Sequence, residues 1–370
     1  MNCDRDVECN RVVPGVKKIA VLRSNGIGDF MFTLPALHAL RNTYPQAEIV
    51  LLGLEWHAEF LAGRPGPVDR VEVVPRSRGV RNLPGEDDDP QALAHFFRRM
   101  QDENFDLAIQ MLGGGRFSNP FIQRLNARLT AGSCTEDAVL LDRWVSYSYY
   151  QHEVLRFLEI AALVGAKTTE LEPHIRVTEM DLAEADRSIP KGEGCLVLLH
   201  PGAGDARRRW PVEKFAAIGN DMAWTGCRVV VIGSEAEYEL AERLTRSMSM
   251  EATNLAGRIS VGGVAGLMSR ADLVISNDSG PLHLARAVGC PTVGIYWCGN
   301  LINAGPVTRA RHRTAISWRL DCPVCGLNCT RSTCDHRESF VSDVTEVEVQ
   351  TAAMELMEQY GATARASWPS

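Results

Sequence analysis

Residues 17–29, KKIAVLRSNGIGD, decide the fold. Lys17–Arg23 is a short apolar, β-branched run, the composition of a strand covered on both faces. It ends at a glycine turn, Asn25-Gly26-Ile27-Gly28, after which Leu34, Leu37, Ala39 and Leu40 are spaced for one face of a helix. Tyr44-Pro45 stops that helix, and Ala47–Leu52 (AEIVLL) is the next strand. Strand, turn, helix and strand make a β-α-β unit, which in one sheet implies parallel strands and a right-handed crossover. Further along, Asp106–Gln110 (DLAIQ) is another strand and runs into Gly113-Gly114-Gly115. The stretch Gly79–Pro90 (GVRNLPGEDDDP) between them is polar, acidic and turn-rich, and is expected to be a solvated loop.

At Ser188–Gly194 (SIPKGEG) the composition shifts to Pro, Gly and charge, the signature of a linker, and beyond it the pattern restarts. Cys195–Leu199 is a strand, Pro201–Gly204 a glycine-rich loop and Val212–Trp224 a helix; Arg228–Ile232, Leu273–Ser276 and Thr292–Trp297 are further strands, with helices at Glu235–Met248 and Leu282–Val288. The second half repeats the first, so the predicted fold class is α/β: two Rossmann-like, doubly wound domains facing each other across a cleft. The expected domains are 1–185 and 186–340. The remainder, 341–370, carries a helical stretch, Glu346–Tyr360, with no sheet of its own, and is expected to cross back onto the first domain.

A chain of 370 residues, 45% apolar and 23% charged, is long enough for two such cores. Its net charge of −7 argues against nucleic acid as a partner. The N-terminal MNCDRDVECNRVVPG lacks the apolar segment of a secretory signal, and the longest apolar runs, such as Leu196–Leu199, are strand-sized. A cytoplasmic protein is expected, with most of its eleven cysteines scattered singly as reduced thiols. The exception is Cys322, Cys325, Cys329 and Cys334, with His336 nearby. Three readings of that run stand open: reduced structural thiols, a metal clip for zinc or iron, or disulfides.

Three motifs carry chemistry. Asn25-Gly26-Ile27-Gly28-Asp29 follows the first strand, where open α/β sheets bind ligands; Asp29 is there either a helix cap or a functional acid. The dinucleotide fingerprint G-x-G-x-x-G is incomplete, because Met31 stands at its third glycine. His200-Pro201-Gly202-Ala203-Gly204 with Arg207-Arg208-Arg209-Trp210-Pro211 combines free backbone N–H groups, a helix start and guanidinium forks, which together suit a pyrophosphate. Asn277-Asp278-Ser279-Gly280-Pro281-Leu282-His283 opens another helix after a strand; Pro281 fits its first turn, and Ser279 or Asp278 can cap it.

Taken in order, KIAVLRSNGIGDFMFTLPALHALRNTYP, LLHPGAGDARRRWPVEKFAAI and ADLVISNDSGPLHLARAVGCPTVGIY resemble the three signature regions of glycosyltransferase family 9, the ADP-heptose:lipopolysaccharide heptosyltransferases. The resemblance spans about residues 17 to 350 and implies a GT-B fold, with the acceptor on the N-terminal domain and the nucleotide-sugar on the C-terminal one. It places the catalytic acid on Asp29 and the acceptor-side loop on Gly26, Gly28 and Arg116. Gly202, Ala203, Gly204, Arg208, Asp278, Ser279, Gly280 and His283 fall on the donor's phosphates, and Glu235 or Glu237 on its ribose. Where relatives often end the third strand with Asp, this chain has Gln110.

The implied activity is inverting transfer of a sugar, heptose from ADP-heptose, to a hydroxyl of a lipopolysaccharide-core or related glycan or glycolipid, at the inner face of the inner membrane with at most peripheral contact. No D-x-D motif offers a catalytic metal site and Asp87-Asp88-Asp89 lies in the polar loop, so no cofactor beyond the donor is expected. The alternatives are a nucleotide-sugar-binding protein without activity and a Rossmann-type dinucleotide oxidoreductase.

Overall fold

The computed structural model describes residues 11–81 and 87–361. The chain divides into two compact units, Met1–Pro173 and His174–Ser370. The first contains β1 (Lys18–Leu22), α1 (Ile27–Thr43), β2 (Glu48–Gly53), α2 (Glu55–Leu61), β3 (Arg70–Val73), α3 (Pro90–Asp102), β4 (Leu107–Gln110), α4 (Ser118–Gln123), β5 (Leu129–Cys134), β6 (Arg143–Ser146) and α5 (Glu153–Ala162). Its six strands are parallel, in the order β3-β2-β1-β4-β5-β6. The order reverses between β1 and β4, which puts the loops after those strands at the sheet's switch point, where this architecture binds ligands.

The second unit contains α6 (Glu179–Ser188), β7 (Leu196–His200), α7 (Val212–Trp224), β8 (Arg228–Val231), α8 (Tyr238–Ser247), β9 (Ala252–Asn254), α9 (Val261–Arg270), β10 (Leu273–Asn277), α10 (Gly280–Ala287), β11 (Thr292–Trp297), α11 (Cys298–Ala304), β12 (His312–Ser317) and α12 (Glu346–Tyr360). Its order, β12-β11-β10-β7-β8-β9, again all parallel, is that of the first sheet. The central strands β7 (LVLLH) and β10 (LVISN) are buried at every residue, as expected of strands covered on both faces.

Four expectations are corrected by packing. The division falls at Pro173 and not at 185, because α6 packs on α9 of the second unit: a Cβ at Gly266 would stand 2.3 Å from the Asp181 carbonyl oxygen. Helix α12, expected to cross back onto the first domain, belongs to the second unit, with Val349, Ala353 and Leu356 in its core beside Val197, Ile275 and Ile295. Helix α1 is buried all round rather than on one face, including Phe30, Met31, Phe32, Leu34 and Leu37, the condition of a helix enclosed by a core. Cys195 and Cys227, at the start of neighbouring strands β7 and β8, form a disulfide across a Cα separation of 4.5 Å, where reduced thiols are expected.

In the polar loop, Asp88 accepts from the Arg78 N–H and Asp89 caps α3 through the Ala92 N–H at 2.9 Å, so both carboxylates are structural; residues 82–86 lie outside the described residues. No helix among the described residues is long and apolar enough to cross a membrane.

Candidate functional site

On the first unit, β1 ends at Leu22 and the chain turns through Ser24–Gly26 into α1. Gly26 occupies the N-cap position and contributes no side-chain cap, so Asp29 is not the cap; it lies in the first turn, where the helix start favours a negative charge. Arg23, 3% exposed, donates from Nη2 to Asp29 Oδ1 at 3.0 Å, from Nε to the Asp29 carbonyl at 3.2 Å and from Nη1 to the Met111 carbonyl at 2.6 Å. The Phe157 ring lies 4.6 Å from the guanidinium carbon. The Asp29 carboxylate itself is 45% exposed. It is therefore a presented acid held from below by a buried cation, and it lines a pocket of about 860 Å³ with Ser24, Asn25, Gly26, Trp56 and Arg81.

Sequence reasoning missed Arg23. The available signal was a charged residue closing an otherwise apolar strand, six positions before the acid. Arg116 is not among the residues lining that pocket; it is 68% exposed and pairs with Asp137 at 3.5 Å. Gln110 is fully buried and ties the glycine turn, donating to the carbonyls of Leu112 (2.5 Å) and Gly113 (3.1 Å).

On the second unit, β7 and β10 are neighbours, and the loops after them interlock. The Asn277 amide donates to the Pro201 carbonyl at 2.8 Å and its oxygen accepts from the Trp210 N–H at 2.9 Å. Trp210 is buried and bonded through Nε1 to the Val344 carbonyl at 3.0 Å, which fixes the end of the arginine stretch. The three arginines then separate by role. Arg207 pairs with Asp205 at 2.6 Å, and Arg209 donates twice to the Ala203 carbonyl, at 3.0 and 2.8 Å. Arg208 alone turns to the strand ends, where Nη1 meets Asp278 Oδ2 at 3.1 Å.

Asp278 is buried and also meets His283 Nε2 at 3.1 Å. Burial pushes its carboxyl up, but His283 and Arg208 outweigh that and hold it below the usual carboxylate range. Asp278 and His283 thus anchor Arg208 from beneath and do not face outward themselves. Ser279 does not cap α10; its hydroxyl lies 3.0 Å from His200 Nδ1. Among the described residues the N–H groups of Gly202, Ala203, Gly204, Ser279 and Gly280 find no acceptor. Five free donors beside a guanidinium make a site for an oxyanion.

Of the two glutamates, Glu235 is exposed, whereas Glu237 reaches His200 Nε2 at 3.5 Å and accepts from the Ser234 N–H and hydroxyl, both at 2.8 Å. Burial would raise the Glu237 carboxyl, but His200 and Ser234 bring it down to about 2. A Cβ at Gly202 would stand 1.9 Å from Glu237 Oε1, so a larger residue there would displace the carboxylate from the loop.

In the cysteine run, ligand atoms of Cys322, Cys325, Cys334 and His336 gather within 4.8 Å of one another. Cys329 is not in the group; its thiol turns to the Leu327 carbonyl at 3.4 Å, so of the three open readings of the run the metal-clip one falls on Cys322, Cys325, Cys334 and His336 and not on four cysteines.

Residues 93–323, more than half of the chain, match the profile of glycosyltransferase family 9 (heptosyltransferase). The lipopolysaccharide core heptosyltransferase OpsX of Haemophilus influenzae is 24% identical over 302 residues, covering 78% of this chain and 82% of that protein. The E. coli ADP-heptose lps heptosyltransferase II structure superposes with a TM-score of 0.73 at 18% identity, over 94% of this chain and 100% of that one. E. coli heptosyltransferase WaaC with ADP gives 0.69 at 20% identity, over 92% and 99%. With two parallel six-stranded sheets of one strand order and the motifs at their switch points, the chain has the GT-B fold; it is a glycosyltransferase and belongs to glycosyltransferase family 9.

Proposed function

We propose that the protein transfers heptose from ADP-heptose to a hydroxyl of a lipopolysaccharide-core or related glycan acceptor, by single displacement with inversion. The observation that carries the reading is Arg208, fixed on buried Asp278 beside five free backbone donors at the ends of β7 and β10. That arrangement suits the diphosphate of a nucleotide-sugar, and the heptosyltransferases similar to this chain suggest which one. Glu237, ionised and pressed against Gly202, is the better placed of the two glutamates for the ribose hydroxyls.

Asp29 serves as the base. It takes the proton of the acceptor hydroxyl, the acceptor oxygen forms a bond to the anomeric carbon, and the bond from that carbon to the diphosphate breaks to release ADP. Arg23 positions the carboxylate, and the Gly26–Gly28 turn and the Arg81 and Trp56 walls of the adjoining pocket receive the acceptor. Arg116 is assigned an acceptor contact outside that pocket. Negative charge growing on the leaving diphosphate is met by Arg208 and the free amides, so turnover is expected without added magnesium or manganese. The reaction belongs in the cytoplasm, at the inner face of the inner membrane with peripheral contact only, in keeping with no helix among the described residues being long and apolar enough to cross a membrane.

Release of ADP from ADP-heptose in the presence of acceptor tests the proposal. Asp29→Asn is expected to lower kcat by about 10²–10⁴-fold with ADP affinity unchanged, the worth of a positioned base. Near-normal turnover by that variant would remove Asp29 from the reaction. ADP binding without turnover in the wild-type protein would leave a nucleotide-binding protein, and stabilisation by NAD(H) in place of ADP would favour an oxidoreductase.

A further inference from the structure

Between β12 and α12 the chain runs from Trp318 to Thr345 with no helix or strand, and is stitched to the arginine loop at its far end. The Phe340 N–H donates to the Arg207 carbonyl at 2.7 Å, the Ser339 hydroxyl to the Arg209 carbonyl at 2.6 Å, and the Arg207 guanidinium carbon lies 5.4 Å from the Phe340 ring centroid. At its near end the Arg319 carbonyl accepts from Trp297 Nε1 at 2.6 Å. Midway, Cys322-Pro323-Val324-Cys325-Gly326 forms a tight knuckle: the Gly326 N–H donates to the Cys322 carbonyl at 3.0 Å and the Cys322 N–H to the Leu327 carbonyl at 2.8 Å. Gly326 has φ +71°, a conformation that suits glycine after the second cysteine.

Three thiols and an imidazole converge around this knuckle within 4.8 Å. Around a tetrahedral zinc ion, ligands at about 2.0–2.3 Å stand roughly 3.5–3.8 Å apart, so the four atoms need close by only about 1 Å. His336 Nδ1 is buried with no hydrogen-bond partner among the described residues, a costly state for a ring nitrogen. A disulfide between any two of the thiols would leave the third and the imidazole unmatched.

We propose that Cys322, Cys325, Cys334 and His336 bind one thiophilic divalent cation, zinc or ferrous iron, and that this ion clamps the strap that braces the Arg207–Arg209 loop. The soft S₃N donor set suits these ions and not magnesium or calcium. The clamp's effect on donor binding rests on the reading of Arg208 as a diphosphate ligand; the site itself does not.

The full chain, expressed with zinc and iron supplied and purified without chelator, is expected to carry about one such ion, as a closed structural site does. Cys325→Ser and His336→Ala should lose it, while Cys329→Ser keeps it. Cobalt(II) added to reduced, metal-stripped wild-type protein should give the intense thiolate-to-cobalt charge-transfer absorption of a tetrahedral sulfur site. Metal-free wild-type protein that also fails to take up cobalt overturns the site, as does equal metal loss in Cys329→Ser. Stripping the ion from wild-type protein should weaken ADP binding by about tenfold, within the range usual for coupling between two linked binding sites. Unchanged ADP affinity after stripping would overturn the clamp, and wild-type protein that holds the ion but binds no ADP would instead overturn the donor reading.

Discussion

In each unit a charged side chain at the candidate site, Asp29 in the first and Arg208 in the second, is held by a buried partner of opposite sign, Arg23 and Asp278 respectively. Each partner is enclosed in the unit's interior, so its charge is compensated only by that side chain and a few neighbours. Loss of Arg208 would remove the cation proposed to meet the diphosphate and also leave Asp278 with His283 alone. Arg208→Ala is therefore expected to weaken ADP by roughly 10- to 100-fold, while Arg207→Ala, which breaks a pair with Asp205, changes it less than about 3-fold. Titration calorimetry compares them, and equal losses would refute the division of roles among the arginines. That division was only half legible: the motif singles out Arg208, but not what Asp278 and His283 do. Their burial depends on β10 lying against β7, which no local pattern records.

Among the elements, several were legible, but helices α3, α5, α6 and α9 were not read from the sequence although α3 spans thirteen residues with Leu93, Phe96, Phe97 and Met100 on its buried face. Helix α7 and helix α12 fall where the sequence spacing puts them, and the glycine turns sit at strand ends as expected. The strands β3, β5, β6, β9 and β12 were not legible: β3, β6, β9 and β12 are sheet edges, and Arg143–Ser146 is half exposed with no apolar run, while interior β5 (LTAGSC) is buried but lacks an apolar run of its own. The unit boundary was missed because a Pro-Gly-charge segment resembles a linker, while the contact that decides it, α6 on α9, is made across the fold. Gly266 is the residue that lets those helices meet. Gly266→Ala is expected to cost about 1–3 kcal/mol by overpacking, seen as a lowered denaturant midpoint with an unchanged slope. A neutral result would mean that α6 is loosely attached and that the boundary belongs nearer 185.

For the whole molecule, each unit hides a histidine that burial keeps from protonating: His57 in the first and His312 in the second, both depressed to about 3. The unfolded chain takes up those protons from about pH 6.5 downward and the folded one does not, so stability must fall on acidification between 6.5 and 3. The slope is at most about 1.4 kcal/mol per pH unit for each histidine. Denaturant titrations at pH 7, 6 and 5 should show it, and a flat profile would mean that both rings find water or a carboxylate in the folded state. The doubled architecture itself was legible, because strand, glycine turn and helix recur in the same order in each half. Its sharing of one strand order has an evolutionary corollary. Every strand-to-strand hydrogen bond of a sheet closes within its own unit, so recombination near Pro173 should splice intact modules. A hybrid carrying residues 1–173 from a relative and 174–370 from this chain is expected to keep this chain's ADP affinity within about 3-fold while adopting the relative's choice of acceptor. Lineages could then change which glycan they decorate without rebuilding the machinery that supplies the sugar.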